Sequence, residues 1–145
     1  MKDILVHMDD SERCTQRLDL AIGLAKRFGA RLTGLFARME SHRPSAVAHR
    51  PSETLVAAAE AARSRFDTAT AAAGISARWW QLAHGESSHV VAETAFCARF
   101  VDLVVLGQYD PRSACVPAEM NENLILNCGR PVLVIPHSGH FVTVG

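Results

Sequence analysis

The chain has 145 residues, of which 48% are hydrophobic and 21% are charged, a composition typical of globular proteins and unlike that of disordered chains. Fifteen lysine and arginine residues balance fifteen aspartate and glutamate residues, so no overall positive field draws nucleic acid or an anionic membrane to the chain. The length fits one domain of roughly 100–200 residues. No run of residues approaches the roughly 20 apolar residues of a membrane span.

The cysteines and the amino terminus predict where the chain resides. Its four cysteines are far apart and form no Cys-x-x-Cys pair: Cys14, Cys97, Cys115 and Cys128. The apolar run at the amino terminus is too short for a signal peptide, and acidic residues follow it at once. We therefore expect reduced thiols and a cytoplasmic location.

The first third of the chain alternates between strand and helix patterns. Residues 4–8 form a short apolar run that predicts a strand, and Asp10 and Ser11 after it are typical helix N-cap residues. Gly29 is placed to end the helix in a left-handed conformation, and residues 32–37 predict the second strand. The helix has apolar residues every three or four positions, and these predict its buried face: Cys14, Leu18, Ala21, Ala25 and Phe28.

The middle of the chain predicts a loop, a long helix and an edge strand. Residues 38–50 lack a period and are rich in arginine, histidine, serine and proline, as loops are. Pro51 and Ser52 open a helix that Gly74 ends, with one predicted buried face: Leu55, Ala59, Ala62, Phe66, Ala69 and Ala73. Residues 77–82 have mixed polarity, which predicts a strand at the edge of the sheet, with Trp79 and Trp80 on opposite faces.

The last third predicts two more helix and strand pairs. Ser87 and Ser88 are predicted to cap a helix whose inward residues are Val91, Ala95 and Ala98. Residues 102–106 are nearly all apolar, as in a strand buried on both faces. Pro117 suits the first turn of a final helix that ends at Gly129, and Val132 to Ile135 form the fifth strand. This alternation predicts an α/β fold, a parallel sheet with helices on both faces.

In such sheets ligands bind beyond the carboxyl ends of the strands, which here carry Asp9, Ala37, His84 and Gly107. The segments around these ends resemble the universal stress protein family. Residues 8–11, Met-Asp-Asp-Ser, are similar to its Val-Asp-Gly-Ser opening. Residues 24–32 are similar to its helix-to-strand passage, and residues 102–107 and 128–136 to its later blocks.

The resemblance covers residues 3–136 and implies a five-stranded sheet of order 3-2-1-4-5. It implies a homodimer formed largely through the fifth strand, whose residues are Val132, Leu133, Val134 and Ile135. We predict a universal stress protein domain over residues 1–136 and a tail or linker over residues 137–145. The tail is similar to the linker of tandem members, so the chain is either the first half of such a protein or a single-domain relative.

Nucleotide-binding members of the family carry Gly-x2-Gly-x9-Gly-[Ser/Thr] after the fourth strand. These glycines let backbone amides wrap the phosphates. Here only Gly107 of that motif is present, because Asp110, Met120 and Asn121 occupy the other positions. Pro111 and Pro117 remove further amides, and Asp110, Glu119 and Glu122 bring negative charge that only Arg112 opposes. The sequence therefore predicts that the phosphate cradle is lost.

Asp9 matches the acid that lies by the adenosine in the family. It either accepts hydrogen bonds from a base or ribose, or caps the first helix, and we favour the cap. The leading hypothesis is a domain that is not an enzyme, holds no cofactor and acts through dimerisation or partner contacts. The alternative is a sensor that holds ATP or AMP through Asp9, Ala37 and Gly107.

The remaining candidates favour surface or packing roles. His84 and His89 near the third strand's end could ligate a metal or relay a proton, and His137 and His140 have an HxxH spacing, but neither pair has the further ligands of a zinc site. Cys115 is either an inert thiol or one that Arg112 activates. No nucleophile–base order or paired carboxylates stand out, so we predict neither catalytic residues nor a metal site. A small hydrolase or metal protein using the cleft histidines is a third, less favoured class.

Overall fold

The computed structural model describes residues 1–41 and 43–144. His42 of the predicted loop and Gly145 of the predicted tail lie outside the described residues. The strands are β1 (Asp3–Met8), β2 (Arg31–Phe36), β3 (Ala77–Gln81), β4 (Leu103–Gly107) and β5 (Val132–Ile135). The helices are α1 (Arg13–Phe28), α2 (Glu53–Ala73), α3 (Ser87–Ala98) and α4 (Met120–Asn127), and a 3₁₀ turn lies at Ser45–Val47.

The five strands form one parallel sheet in the order β3-β2-β1-β4-β5, which confirms the predicted fold class and strand order. The reversal of order between β1 and β4 leaves their carboxyl ends side by side with no helix crossing directly between them. A cleft is expected at this point. No helix within the described residues is long and apolar enough to cross a bilayer.

Alternation along the strands divides the core into two layers. Ile4, Val6 and Met8 of β1 face the layer shared with α1 and α2, whereas Leu5 faces the layer shared with α3 and α4. Phe66 of α2 is fully buried in the first layer, as predicted. The two tryptophans also divide as predicted, because Trp79 packs on the first layer and Trp80 on the second.

The predicted ends of α1 are partly wrong. Asp10 and Ser11 do not cap α1, which begins at Arg13 after Glu12, and Glu12 makes no side-chain cap. The Ser11 hydroxyl donates to Asp9 instead, and the Cys14 amide is satisfied by the Ser11 carbonyl. Phe28, the last residue of α1, is 46% exposed rather than buried, and the Arg27 guanidinium lies 5.7 Å from its ring centroid.

Other helix boundaries differ by one to three residues. Pro51 and Ser52 precede α2 and Gly74 ends it, as predicted. The structure adds that the Ser52 hydroxyl caps α2 by accepting from the Leu55 amide and that Gly74 is left-handed at φ 65°. For α3 the cap is Glu86 rather than Ser87 or Ser88, because its carboxylate accepts from the Ser88 amide. Pro117 precedes α4 instead of lying in its first turn.

Candidate functional site

A cleft of about 670 Å³ opens at the carboxyl ends of β1 and β4. Asp9 follows β1 and lies on its floor, while the chain leaving β4 forms one wall as residues 107–116. The start of α1 and the end of β5 complete it. The cleft therefore occupies the place at which open α/β sheets bind ligands.

Asp9 is buried on this floor and is held by Arg17 of α1. The Arg17 side chain, 4% exposed, places Nη2 at 2.9 Å from Asp9 Oδ2 and donates from Nε to the His7 carbonyl at 2.7 Å. Ser11 donates to Asp9 Oδ1 from its amide at 2.8 Å and from its hydroxyl at 2.5 Å. Both carboxylate oxygens of Asp9 thus have partners within the protein.

The charges in this cluster are mutually stabilising. Burial alone would raise the pKa of Asp9, but Arg17, His7 and the Ser11 hydrogen bonds outweigh it and hold that pKa well below its usual range. Burial would lower the pKa of Arg17, and Asp9 reverses the effect and raises it. Burial and Arg17 lower the pKa of His7, so this imidazole is neutral near pH 7. The floor therefore carries a closed ion pair rather than a free carboxylate.

Gly107 lies directly against Arg17. A methyl group at position 107 would overlap Nη1 of Arg17, so the absence of a side chain there makes room for the guanidinium. The glycine that matches the first position of the phosphate-binding motif serves an internal contact in this chain.

Two amides of the loop that follows β4 are engaged by Asp110 within the loop itself. The Arg112 amide donates to Asp110 Oδ1 at 3.0 Å, and the Ser113 amide donates to the Asp110 carbonyl at 3.1 Å. The Met120 amide donates to the Pro117 carbonyl, and the Asn121 side-chain amide donates to the Gly107 carbonyl at 2.9 Å. A phosphate would have to compete with these bonds.

The charge balance of the cleft differs from the sequence expectation. Arg112 is one of four arginines that line it, with Arg13, Arg17 and Arg38. Arg112 also neutralises Asp110 through two side-chain bonds of 3.0 Å, which lower the pKa of Asp110 to about 2. Glu119 lines a separate groove between α3 and α4, and Glu122 is not among the described residues that line the cleft. Four acids face the four arginines: Asp9, Asp10, Glu12 and Asp110.

The structure brings Asp9 and Gly107 together at the cleft but not Ala37. Ala37 is fully buried beneath the floor, and its carbonyl accepts from His7 Nε2 at 2.6 Å. The favoured reading of Asp9 as a helix cap is wrong, since its bonds go to Arg17 and to the Ser11 turn. Cys115 lies in the cleft, where burial, Asp9 and Asp10 raise the pKa of its thiol to about 11. Its thiol is therefore protonated at neutral pH.

Sequence reasoning missed Arg17. The signal was available, because Arg17 follows Cys14 by three residues and precedes Ala21 by four, and so lies on the apolar face of α1. An arginine in a buried stripe needs a buried partner of opposite charge. Asp9, at the end of the preceding strand, was the nearest acid on the sheet side.

The other candidates lie apart from this floor. The rings of His84 and His89 stack outside the cleft lining, with centroids 3.9 Å apart. His137 lines the cleft, whereas His140 lies along α1 beside Gln16. All four cysteines are free thiols. Among the described residues no group of three or more histidine, cysteine, aspartate or glutamate side chains is placed to hold a metal ion.

The fold and the cleft define an α/β protein of the kind that holds small ligands at the switch point of a 3-2-1-4-5 sheet. Residues 1–136 match the model of the universal stress protein family. This match spans most of the chain, and the chain belongs to that family. Comparison with curated protein sequences gave no match.

Solved structures share the fold at low identity. The chain is similar to the universal stress protein UspA of Lactobacillus plantarum, with a TM-score of 0.65, 23% identity and coverage of 92% of this chain and 97% of that one. It is similar to the universal stress protein of Archaeoglobus fulgidus in complex with dAMP, with a TM-score of 0.63, 17% identity and coverage of 93% and 98%. An AMP-bound family protein of Arabidopsis thaliana gives a TM-score of 0.61 at 10% identity, covering 96% and 94%.

Proposed function

We propose that this chain is a universal stress protein domain that neither hydrolyses nor holds ATP and that acts through contact with a second copy of itself or with another protein. The observation that carries the proposal is the closed ion pair of Asp9 and Arg17 beneath Gly107. A ribose or base at the end of β1 would have to compete with Arg17 for the carboxylate. Separating a buried ion pair costs about 3–5 kcal/mol, which is a large part of the free energy of nucleotide binding.

The loop after β4 supports the same conclusion. Residues 108–128 contain no glycine, and two of the loop amides are engaged by Asp110. A triphosphate carries several negative charges and needs amides or cations that the protein does not already use. Asp110 itself adds a negative charge at this wall, although Arg112 balances it.

Equilibrium binding of ATP by calorimetry tests the proposal. We expect no heat of binding below roughly millimolar ATP, an affinity of about −4 kcal/mol or weaker. The Arg17→Met variant frees Asp9 from its ion pair, and Arg63→Met on the outer face of α2, where Arg63 pairs with Asp67, is the matched surface control. Micromolar binding of ATP by the unaltered chain would overturn the proposal.

A second candidate is a site for a nucleoside monophosphate such as AMP. The cleft remains open at about 670 Å³, and Arg13, Arg38 and Arg112 line it above the Asp9 floor. Solved relatives have been determined with dAMP, with cAMP and with AMP, which are all monophosphates. This candidate would place the ligand against Asp9 and Gly107, with the carboxyl end of β2 near Ala37 behind it.

The same calorimetry separates the two candidates. Micromolar affinity for AMP, weakened at least about tenfold by Arg38→Met and unchanged by Arg63→Met, would favour the monophosphate site. Absence of AMP binding leaves protein contact as the function.

A further inference from the structure

The outer edge of β3 has backbone groups without partners. Just after β3, the Leu82 amide donates to the Phe36 carbonyl of β2. The amide and carbonyl of one residue point to the same side of a strand, and this side alternates along the chain. Among the described residues, no further strand pairs with β3 on its other side. The backbone groups that face outward there belong to three residues: Ala77, Trp79 and Gln81.

An apolar groove of about 440 Å³ lies beside this edge, between β3 and α3. Phe96 and Phe100 line it with rings that are 54% and 59% exposed and whose centroids lie 5.1 Å apart. Exposed aromatic rings of this kind are enriched at protein interfaces. The rest of the apolar lining comes from β2, β3 and α3: Leu35, Trp79, Trp80, Leu82 and Cys97.

The charge of the groove is negative. Glu93 lines it and forms no ion pair with another described residue. Arg78 is close by on β3, but its guanidinium stacks over Trp80 at 4.2 Å and donates to the Thr33 hydroxyl. The carboxylate of Glu93 is therefore available to a cation of a partner.

This surface remains accessible when the opposite edge of the sheet is covered. β3 and β5 are the two ends of the strand order β3-β2-β1-β4-β5. Two copies of the chain that associate through β5 would each keep the edge of β3 and its groove open. The surface therefore suits a partner other than a second copy.

We propose that the edge of β3 and the groove beside it bind an extended segment of another protein. The segment adds to the sheet as a further strand, bonds to the outward backbone groups of β3, places apolar side chains of alternate residues in the groove and brings a lysine or arginine to Glu93. Backbone bonds provide affinity in this mode of recognition, and the groove selects the side chains. The inference rests on the protein contact proposed above and adds the chemistry of the partner.

Tryptophan fluorescence of the full chain tests the proposal, because both tryptophans of the chain lie in β3. The probe is a capped peptide of about seven residues, within the usual range of strand lengths. It has leucine, lysine and leucine at its second, fourth and sixth positions and threonine elsewhere. We expect saturable binding that weakens at least about threefold when glutamate replaces the lysine. Glu93→Gln should make the affinities of the two peptides equal.

Methylation of peptide amides separates strand addition from general apolar binding. In an added strand, alternate amides face β3 and the others face solvent. One peptide is methylated on the leucine and lysine amides, and another on the threonine amides. One of the two patterns should weaken binding at least about tenfold, because it removes the donors to β3, and the other by less than about threefold.

Phenylalanine variants test the groove itself. Phe96→Ala should weaken binding of the lysine peptide at least about tenfold, as loss of an interface aromatic side chain does. Phe28→Ala removes a ring of similar exposure from the end of α1 and is the matched control.

Three results would overturn the proposal: no saturable binding, equal effects of the two methylation patterns, or undiminished binding to folded Phe96→Ala. Loss of a dimer in Phe96→Ala, measured by light scattering, would assign the surface to a second copy and would also overturn it. The calorimetry of ATP uses a different site, so the proposed function is tested separately.

Discussion

At the scale of single residues, the floor of the cleft is organised by one arginine. Arg17 extends from α1 to the end of β1, where it binds Asp9 and the His7 carbonyl. Burying the two charges is costly in itself, and the cost is offset only because each charge meets the other and additional hydrogen bonds. The pair ties α1 to the carboxyl end of β1 and leaves both buried charges with partners within the protein.

The position of Arg17 should require glycine at position 107, and the free energy of unfolding of substituted chains can test this. We expect Gly107→Ala to lower the free energy of unfolding by about 1–3 kcal/mol, because its methyl group would overlap a guanidinium that is fixed by Asp9. Arg17→Met should cost about 3–5 kcal/mol, since it leaves Asp9 buried without its cation. Denaturant unfolding measures both free energies.

The double variant makes this prediction specific. With the shorter methionine at position 17, the added methyl group has space, so Gly107→Ala should cost little more in that background. Gly23→Ala within α1 is the matched control, because a methyl group there meets nothing within 4 Å and alanine favours helix. Strictly additive costs at positions 17 and 107 would contradict the close contact.

At the scale of helices and strands, the sequence predicted which elements form better than where they begin. The burial of β4 was predictable from its nearly continuous apolar run, whereas the strand order followed from the family resemblance. An apolar run alone does not fix a central position, because β5 is equally apolar and lies at an edge. The start of α1 was not predictable in this way. The Ser11 hydroxyl can either cap a helix or bind a neighbouring carboxylate, and in the structure it donates to Asp9. Local propensity does not include a competing partner that the fold supplies. Arg17, in contrast, could have been found from the helical spacing that places it on the buried face of α1.

Ser52 lies at the predicted start of α2 and caps the helix in the structure, and loss of this cap should be measurable. We expect Ser52→Ala to lower the free energy of unfolding by about 0.5–2 kcal/mol, because the Leu55 amide loses its acceptor and Glu40 loses a donor. Ser45→Ala, at the exposed start of the 3₁₀ turn, should change it by less than about 0.5 kcal/mol. Equal effects of the two substitutions would show that the Ser52 bond does not stabilise α2.

At the scale of the whole molecule, the sheet ends in two unpaired edges that are covered differently. β3 has Trp79 packed against Phe66 and Phe36, and Arg78 stacked over Trp80 at 4.2 Å. β5 is a run of four apolar residues, of which only Ile135 is buried. Ile125 and Leu126 of the neighbouring α4 are 55% and 72% exposed. Such an apolar edge tends to pair with another strand.

We therefore expect two copies of the chain to associate through β5, since a two-fold pairing covers both edges at once and cannot extend further. Light scattering at micromolar concentration should give twice the monomer mass of 15.7 kDa. Val134→Lys places a charge on the half-buried edge and should return the mass to that of the monomer. Val56→Lys, on α2 at the opposite side of the sheet, should leave the dimer intact. A monomer in the unaltered chain, or a dimer that survives Val134→Lys, would contradict association through β5. The next surface to test would then be the exposed aromatic pair of Phe96 on α3 and Phe100 just after it.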